Sequence, residues 1–317
     1  SRVKKLEKVE ERRRLQREVA RVLGTELGRI DDAVAQLRAV VEKDEEDNDS
    51  IVALDALLRQ ARRADDLRAL YELRLERAQT REDSVHLLVE WARLEEDVFA
   101  DNTRALGLHR RALALQPDDR AALRSVARLE LGAGNAEAAA QAIEQERDLA
   151  VGTERAEREV DLARLYLDRL ERPQDALDAA VRALSINAHL GSAITVLEEV
   201  QAKAGFARAA ASHLVTEYEA IGAHDKQAAA LELLLKGEQD KQERKTLFTR
   251  LASVHREHRN DAVAAFGVVL RAVTESPDDL ELWDRVSELG SITGDQRRVA
   301  DAYEGVLTGP HKLEGHV

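Results

Sequence analysis

The chain repeats itself, and this rules out a single closed core. Alanines recur at Ala20, Ala92, Ala163 and Ala252, separated by 72, 71 and 89 residues. A second alanine follows each after 13 residues, at Ala33, Ala105, Ala176 and Ala265. Asp65, Gly134, Gly205 and Gly294 are read as matching turns. Self-similarity at a fixed interval marks stacked units that bury their apolar faces only against neighbours.

Between these markers the apolar pattern has a helical period. Leu54, Leu57, Leu58 and Ala61 share one face, and Leu67, Leu70, Tyr71 and Leu75 share the next. The same pairing recurs downstream, as Leu123, Val126 and Ala127 before Ala139 and Ile143, and as Val160, Ala163 and Tyr166 before Leu177, Val181 and Leu184. No segment alternates like a strand. Only 3% of residues are aromatic and 34% are charged, a balance that favours helix. The class is therefore all-α. The turns carry fitting punctuation: Pro117-Asp118-Asp119 and Pro277-Asp278-Asp279 each stop one helix and offer an aspartate to cap the next. Glycine at 134, 205 and 294 suits a left-handed backbone between paired helices.

These markers divide the chain. Residues 1–17 form a charged helical lead-in with a thin stripe of Leu6, Val9 and Leu15. Residues 18–222 hold a first subarray of repeats. The third interval exceeds its neighbours by about 17 residues. The excess falls in residues 223–242, where Ala230, Leu231, Leu234 and Leu235 predict an extra or extended helix. Residues 243–308 hold a second subarray, and 309–317 a C-terminal tail.

Each copy splits into two hairpins of about half its length, which resembles the tetratricopeptide repeat of ~34 residues. The best match lies at 118–145, where Leu123, Val126 and Ala127 take first-helix core positions. There Gly134-Asn135 takes the turn and Ala139 the second-helix alanine. Ala105, Ala112 and Pro117, and again Ala265, Ala272 and Pro277, fall at the family spacing. Small residues are required there because closely crossing helices leave no room for larger ones. The resemblance spans about residues 13–308 and implies a right-handed α–α superhelix, a solenoid of about eight helical hairpins. Departures are an extra residue between the alanines of alternate hairpins, few of the family's aromatic residues, and a stretch WARLEE at 91–96 nearer the half-a-tetratricopeptide variety.

Composition excludes several function classes. There is no cysteine, so disulfides, thiol catalysis and cysteine-bound zinc are absent. The net charge of −13 argues against a nucleic-acid partner. No stretch approaches the ~18 apolar residues of a membrane span. No signal peptide is visible, and the expected compartment is cytoplasmic. The chain starts Ser1-Arg2 and contains no methionine, so its natural start is expected to precede Ser1. No nucleophile elbow, phosphate loop or dinucleotide fingerprint occurs. His255 and His258 lie one helical turn apart without a third metal ligand, and are read as ordinary histidines. The acidic run at 42–49 lacks the pattern of a calcium loop and reads as a solvated connection. No catalytic residue, cofactor or metal is assigned.

In arrays of this kind the first helix of each hairpin lines the concave face. The position just after its inward core residue reads Arg21, Arg59, Arg93, Arg128 and Arg164, then Glu199, Ser253 and Glu288. Five successive arginines form a ladder of forked donors suited to carboxylates or phosphates. The competing account is composition, with Glu95, Glu96 and Glu130 pairing those arginines inside the array. Lysine is scarce and Asn48, Asn102, Asn135, Asn187 and Asn260 fall near turns, which gives no basis for the family's lysine–asparagine carboxylate clamp. The expectation is a non-catalytic scaffold holding a protein or peptide segment, acidic along its N-terminal half. The alternative is a spacer or assembly subunit of a larger complex, contacting neighbours through its ends.

Overall fold

Alanines with no room around them set the spacing of the helices. In the structure, a computed structural model describing residues 2–43 and 47–308, Ala33, Ala92, Ala105, Ala163, Ala176 and Ala265 have no exposed surface. Ala20 and Ala252 are also buried. Among the described residues there are seventeen α-helices and no strand. The chain divides into two units, 1–149 and 150–317.

The first unit holds α1 (Arg2–Arg21), α2 (Ile30–Lys43), α3 (Asn48–Gln60), α4 (Ala64–Arg77), α5 (Arg81–Asp97), α6 (Asn102–Leu115), α7 (Arg120–Gly132) and α8 (Ala136–Leu149). They form four consecutive hairpins. The second unit holds α9 (Gly152–Asp168), α10 (Pro173–Ile186), α11 (Gly191–Gln201), α12 (Ala207–Ala220), α13 (His224–Gly237), α14 (Lys241–Ser253), α15 (Ala262–Glu275), α16 (Leu280–Thr293) and α17 (Gln296–Thr308). Here α9–α10, α14–α15 and α16–α17 are hairpins, and between them α11, α12 and α13 pack in succession, α12 against both neighbours. Segment 223–242 carries α13 and lies inside the second unit. Each unit is a run of consecutive helix pairs packed on their neighbours in sequence.

The extra residue of alternate hairpins has a specific place. In α3–α4, α7–α8 and α12–α13 the turn closes with a backbone bond spanning five residues: Arg63 N to Leu58 O, Asn135 N to Glu130 O and Ala223 N to Tyr218 O, at 2.8–2.9 Å. The first hairpin, α5–α6, α9–α10 and the pair α14–α15 span six instead: Arg29 N to Leu23 O, Asp101 N to Glu95 O, Arg172 N to Tyr166 O and Asp261 N to His255 O, at 2.7–2.8 Å. In two of these, α1 and α14, the helix widens into a π-type turn at Val22–Glu26 and Val254–His258. The residue before each closing donor has a left-handed backbone, with Gly28 at φ 65, Ala100 at 54, Glu171 at 52 and Asn260 at 51 in the wide turns, and Arg62 at 52, Gly134 at 83 and Gly222 at 71 in the narrow ones. Wide turns alternate with narrower connections, so the sequence repeats every two hairpins.

Several local expectations are corrected. Arg62, not Asp65, takes the turn position of the first copy; Asp65 lies in the first turn of α4, where its charge meets the helix dipole. The acidic run is not simply solvated. Asp47 is buried, caps α3 by accepting from Ser50 N at 3.2 Å, and accepts from Arg17 Nη1 at 3.0 Å; residues 44–46 lie outside the described residues, as does the 309–317 tail. In the lead-in, Val9 and Leu15 are exposed, in keeping with the open start of a helix. The aspartate caps are present, with Asp119 accepting from Ala122 N at 3.0 Å and Asp279 from Glu281 N at 3.1 Å.

Candidate partner-binding surface

One residue advances a helix by ~100°, so the neighbour of an inward residue turns outward. The inward residues here are Ala20, Leu58, Ala92, Ala127 and Ala163, all buried. Their successors are Arg21 on α1, Arg59 on α3, Arg93 on α5 and Arg128 on α7 in the first unit, and Arg164 on α9 in the second. Arg21, Arg93, Arg128 and Arg164 are exposed and Arg59 is half-buried. In the second unit the same register gives Glu199, exposed on α11. Its next members, Ser253 and Glu288, line one cavity of about 210 Å³ between α14 and α16, with Val269 of α15 beneath.

The five arginines differ in what they touch. Arg21 is clipped to Glu18 at 2.8 Å and Glu26 at 3.1 Å on its own helix and turn. Arg59 Nη2 donates to Tyr71 Oη at 2.7 Å and to Glu90 Oε1 at 3.0 Å, joining α3 to α5. Tyr71 Oη in turn donates to Glu90 at 2.7 Å, and burial followed by that bond pushes its hydroxyl far above the ordinary range. Arg128 Nη2 donates to Glu96, joining α7 to α5. Arg93 and Arg164 have no hydrogen bond or ion pair to any described residue. Arg93 therefore lies on α5 between Glu90 and Glu96, the two carboxylates that engage its neighbours in the ladder.

Behind this surface is a histidine that sequence reasoning missed. His109 on α6 is 1% exposed, with Nε2 3.3 Å from Glu96 Oε1. Its Nδ1 has no hydrogen-bond partner among the described residues. Burial lowers the imidazole's proton affinity. Glu96 opposes that, and the charges of Arg128 and Arg93 lower it further.

Four buried glutamates were also missed as a group. Glu95 accepts from Arg68 at 2.8 and 2.9 Å and from Trp91 Nε1 at 2.9 Å. Glu130 takes Arg110 and Asn135, Glu146 takes Arg124, and Glu159 takes Arg182 at 2.9 Å. All four are 0–1% exposed. Of the pairings expected for Glu95, Glu96 and Glu130, only Glu96 meets a ladder arginine; the other two hold Arg68 and Arg110 instead. The available signal was register, since Glu95 and Glu130 each follow a buried alanine, Ala92 and Ala127, by three residues and so face inward with it.

His255 and His258 do not share a ligand site. His255 Nδ1 lies 3.0 Å from Arg259 Nη1, while the His258 ring stacks on His224 of α13 with centroids 4.1 Å apart.

No family model matches the chain, and no curated protein matches it. Solved structures do. A tetratricopeptide repeat protein from Parabacteroides merdae is 16% identical, covering 84% of this chain and 91% of that one, with a TM-score of 0.34. The C-terminal part of a repeat protein of the same type from Cytophaga hutchinsonii is 12% identical, covering 85% and 99%, with a TM-score of 0.37. These likenesses assign neither a partner nor an activity.

Proposed function

We propose that this protein is a non-catalytic scaffold that holds a segment of another protein, or a peptide, against the exposed faces of the first helices of its hairpins, and that within residues 1–149 it favours acidic segments. The observation that carries this reading is Arg93. It is an exposed guanidinium with no hydrogen bond or ion pair to a described residue, placed between Arg59 and Arg128 in the ladder. An unpaired forked donor is open to a carboxylate without a prior exchange of partners. Its neighbour Arg128 pairs with Glu96 but keeps its guanidinium largely exposed, within reach of a ligand carboxylate.

The test is thermal. A dodecapeptide of aspartate and glutamate raises the melting temperature of the wild type, by an amount that grows as ln(1 + L/Kd), with L the free peptide concentration. The double reversal Arg93→Glu/Arg128→Glu stays folded, at a lower unliganded melting temperature because Glu96 loses its Arg128 partner, and loses the peptide-induced rise. An equal rise in both proteins rejects the reading.

A second reading, an assembly subunit contacting neighbours through its terminal hairpins, has its own observation. Leu15 and Val19 on α1, and Tyr303 and Leu307 on α17, are exposed apolar side chains on the first and last helices. Under that reading Leu15→Asp and Leu307→Asp shift the protein to a smaller species on gel filtration of cell extract, and the arginine reversal does not.

A further inference from the structure

Three helices bring Arg93, Glu96, His109 and Arg128 to one place, and their charges do not balance in a static way. Glu96 is shared: it accepts from Arg128 on one side and lies 3.3 Å from His109 Nε2 on the other. Arg93, three residues before Glu96 on the same helix, has no partner among the described residues. His109 is 1% exposed, yet Nδ1 meets no donor or acceptor there. A neutral imidazole that donates from Nε2 to Glu96 leaves Nδ1 as a bare lone pair, which is where a proton would go. Buried polar atoms without a partner are rare and call for an explanation.

We propose that Arg93 and Arg128 anchor one carboxylate-bearing side chain of the partner segment, that Glu96 holds Arg128 until the ligand arrives, and that His109 takes up a proton from solvent when it does. This rests on the acidic-partner reading above. The groups facing His109 are Glu96 and Arg93 from α5 and Arg128 from α7, while Arg110 of its own helix is engaged with Glu130. Two of the three facing charges are positive and oppose a further positive charge on the imidazole. A ligand carboxylate seated on those two arginines offsets part of that opposition and leaves Glu96 free to serve the imidazole alone. Coupling of this kind is reciprocal: if the ligand favours the protonated ring, the protonated ring favours the ligand by the same factor. The acidic partner therefore binds more tightly as pH falls, with the exposed groove reporting on a buried group.

The test uses a fluorescein-labelled dodecapeptide of aspartate and glutamate, titrated by anisotropy at pH 7.5 and 5.5 at fixed ionic strength. Its carboxylates, with ordinary pKa values near ~4, stay ionised at both. The wild type is expected to bind at least about fivefold more tightly at pH 5.5, the lower end of typical coupling factors. His109→Asn binds equally at the two pH values, and Glu96→Gln binds more tightly than wild type at pH 7.5 because Arg128 is released. In parallel, the ring proton resonances of His109 in the wild type titrate at higher pH with saturating peptide than without it, a readout that needs no variant to fold. Binding that the Arg93→Glu/Arg128→Glu reversal weakens, but that is independent of pH with an unmoved His109 titration, overturns the proton coupling and leaves the acidic-partner reading intact. Absent binding, or binding the reversal does not weaken, overturns both.

Discussion

Arg68 Nη2 donates to Glu95 Oε2 at 2.8 Å, so a carboxylate of α5 with no exposed surface is held by an arginine of the preceding hairpin. Arg68 Nε donates to the other oxygen at 2.9 Å, which makes the contact two-pronged and directional. Taking a carboxylate out of water is costly, and its partner must remain for the cost to be offset. Removing Arg68 leaves only Arg104, at 3.9 Å, and the Trp91 ring nitrogen. Arg68→Ala is expected to lower stability by about 3 kcal/mol or more, whereas Arg93→Ala stays within about 0.5 kcal/mol. Urea denaturation midpoints separate the two.

The last hairpin crosses tightly at Gly290. A Cβ built there on α16 would fall inside the van der Waals radius of Val299 Cγ2 on α17. Valine is short and stiff at χ1, so it cannot swing away. Gly290→Ala is expected to cost about 1–3 kcal/mol. In a Val299→Ala background the added cost shrinks, and a double-mutant cycle measures the difference.

Left-handed turns occupied by residues other than glycine hold recoverable stability. Arg62 and Glu171, at φ 52 each, are exposed and sit where Gly134 and Gly28 sit in other hairpins. Arg62→Gly and Glu171→Gly each relieve the steric cost of Cβ in that conformation, offset in part by glycine's greater freedom when unfolded. Each is expected to raise stability by about 0.5–1 kcal/mol, read as a higher melting temperature.

Stability depends on pH through the buried imidazole of His109 and the half-buried one of His255. His109 and His255 both lie below the ordinary value of 6.5, in each case through burial first, with nearby arginine charge adding to it. Between their folded values and 6.5 the unfolded chain binds more protons than the native one, so stability rises with pH across that window and falls as pH drops through it. Asp279, held down first by its bond to Lys245, acts in the same sense, but only as pH falls below 3.8. The melting temperature is expected to decline between pH 7 and 5.5, and less steeply in His109→Asn. A flat profile in the wild type would remove buried neutral imidazoles from the account.

Much of the fold was legible because its rules are local. A buried alanine at 92 and another at 105 mark a crossing by size alone, and the 13-residue interval already contained the wide turn closed by Asp101 N and Glu95 O. Asp119 and Asp279 were readable as caps because proline precedes each by two residues. What was not legible depends on pairs distant in sequence. Glu95 reads as a surface charge until Arg68, 27 residues away, is seen to meet it. The turn at Arg62 was misread as Asp65 because aspartate suits turns chemically, while the left-handed backbone of Arg62 is imposed by closure of the hairpin through Arg63 N and Leu58 O. The ladder register was readable on each helix. Which arginines are already engaged was not, since Glu90 and Glu96 reach Arg59 and Arg128 from 31 and 32 residues away.

The central claim is that an acidic segment lies along the first helices of the hairpins in residues 1–149, with Arg93 as its point of attachment. Photo-crosslinking tests it directly. An aspartate- and glutamate-rich peptide carrying a short diazirine is irradiated with the wild-type protein, and the adducts are mapped by mass spectrometry. The account predicts adducts concentrated on the exposed faces of α3, α5 and α7 near Arg59, Arg93 and Arg128, and lost in Arg93→Glu/Arg128→Glu. Adducts on α2, α4 and α6 instead, or the same map with a lysine-rich control peptide, would contradict it.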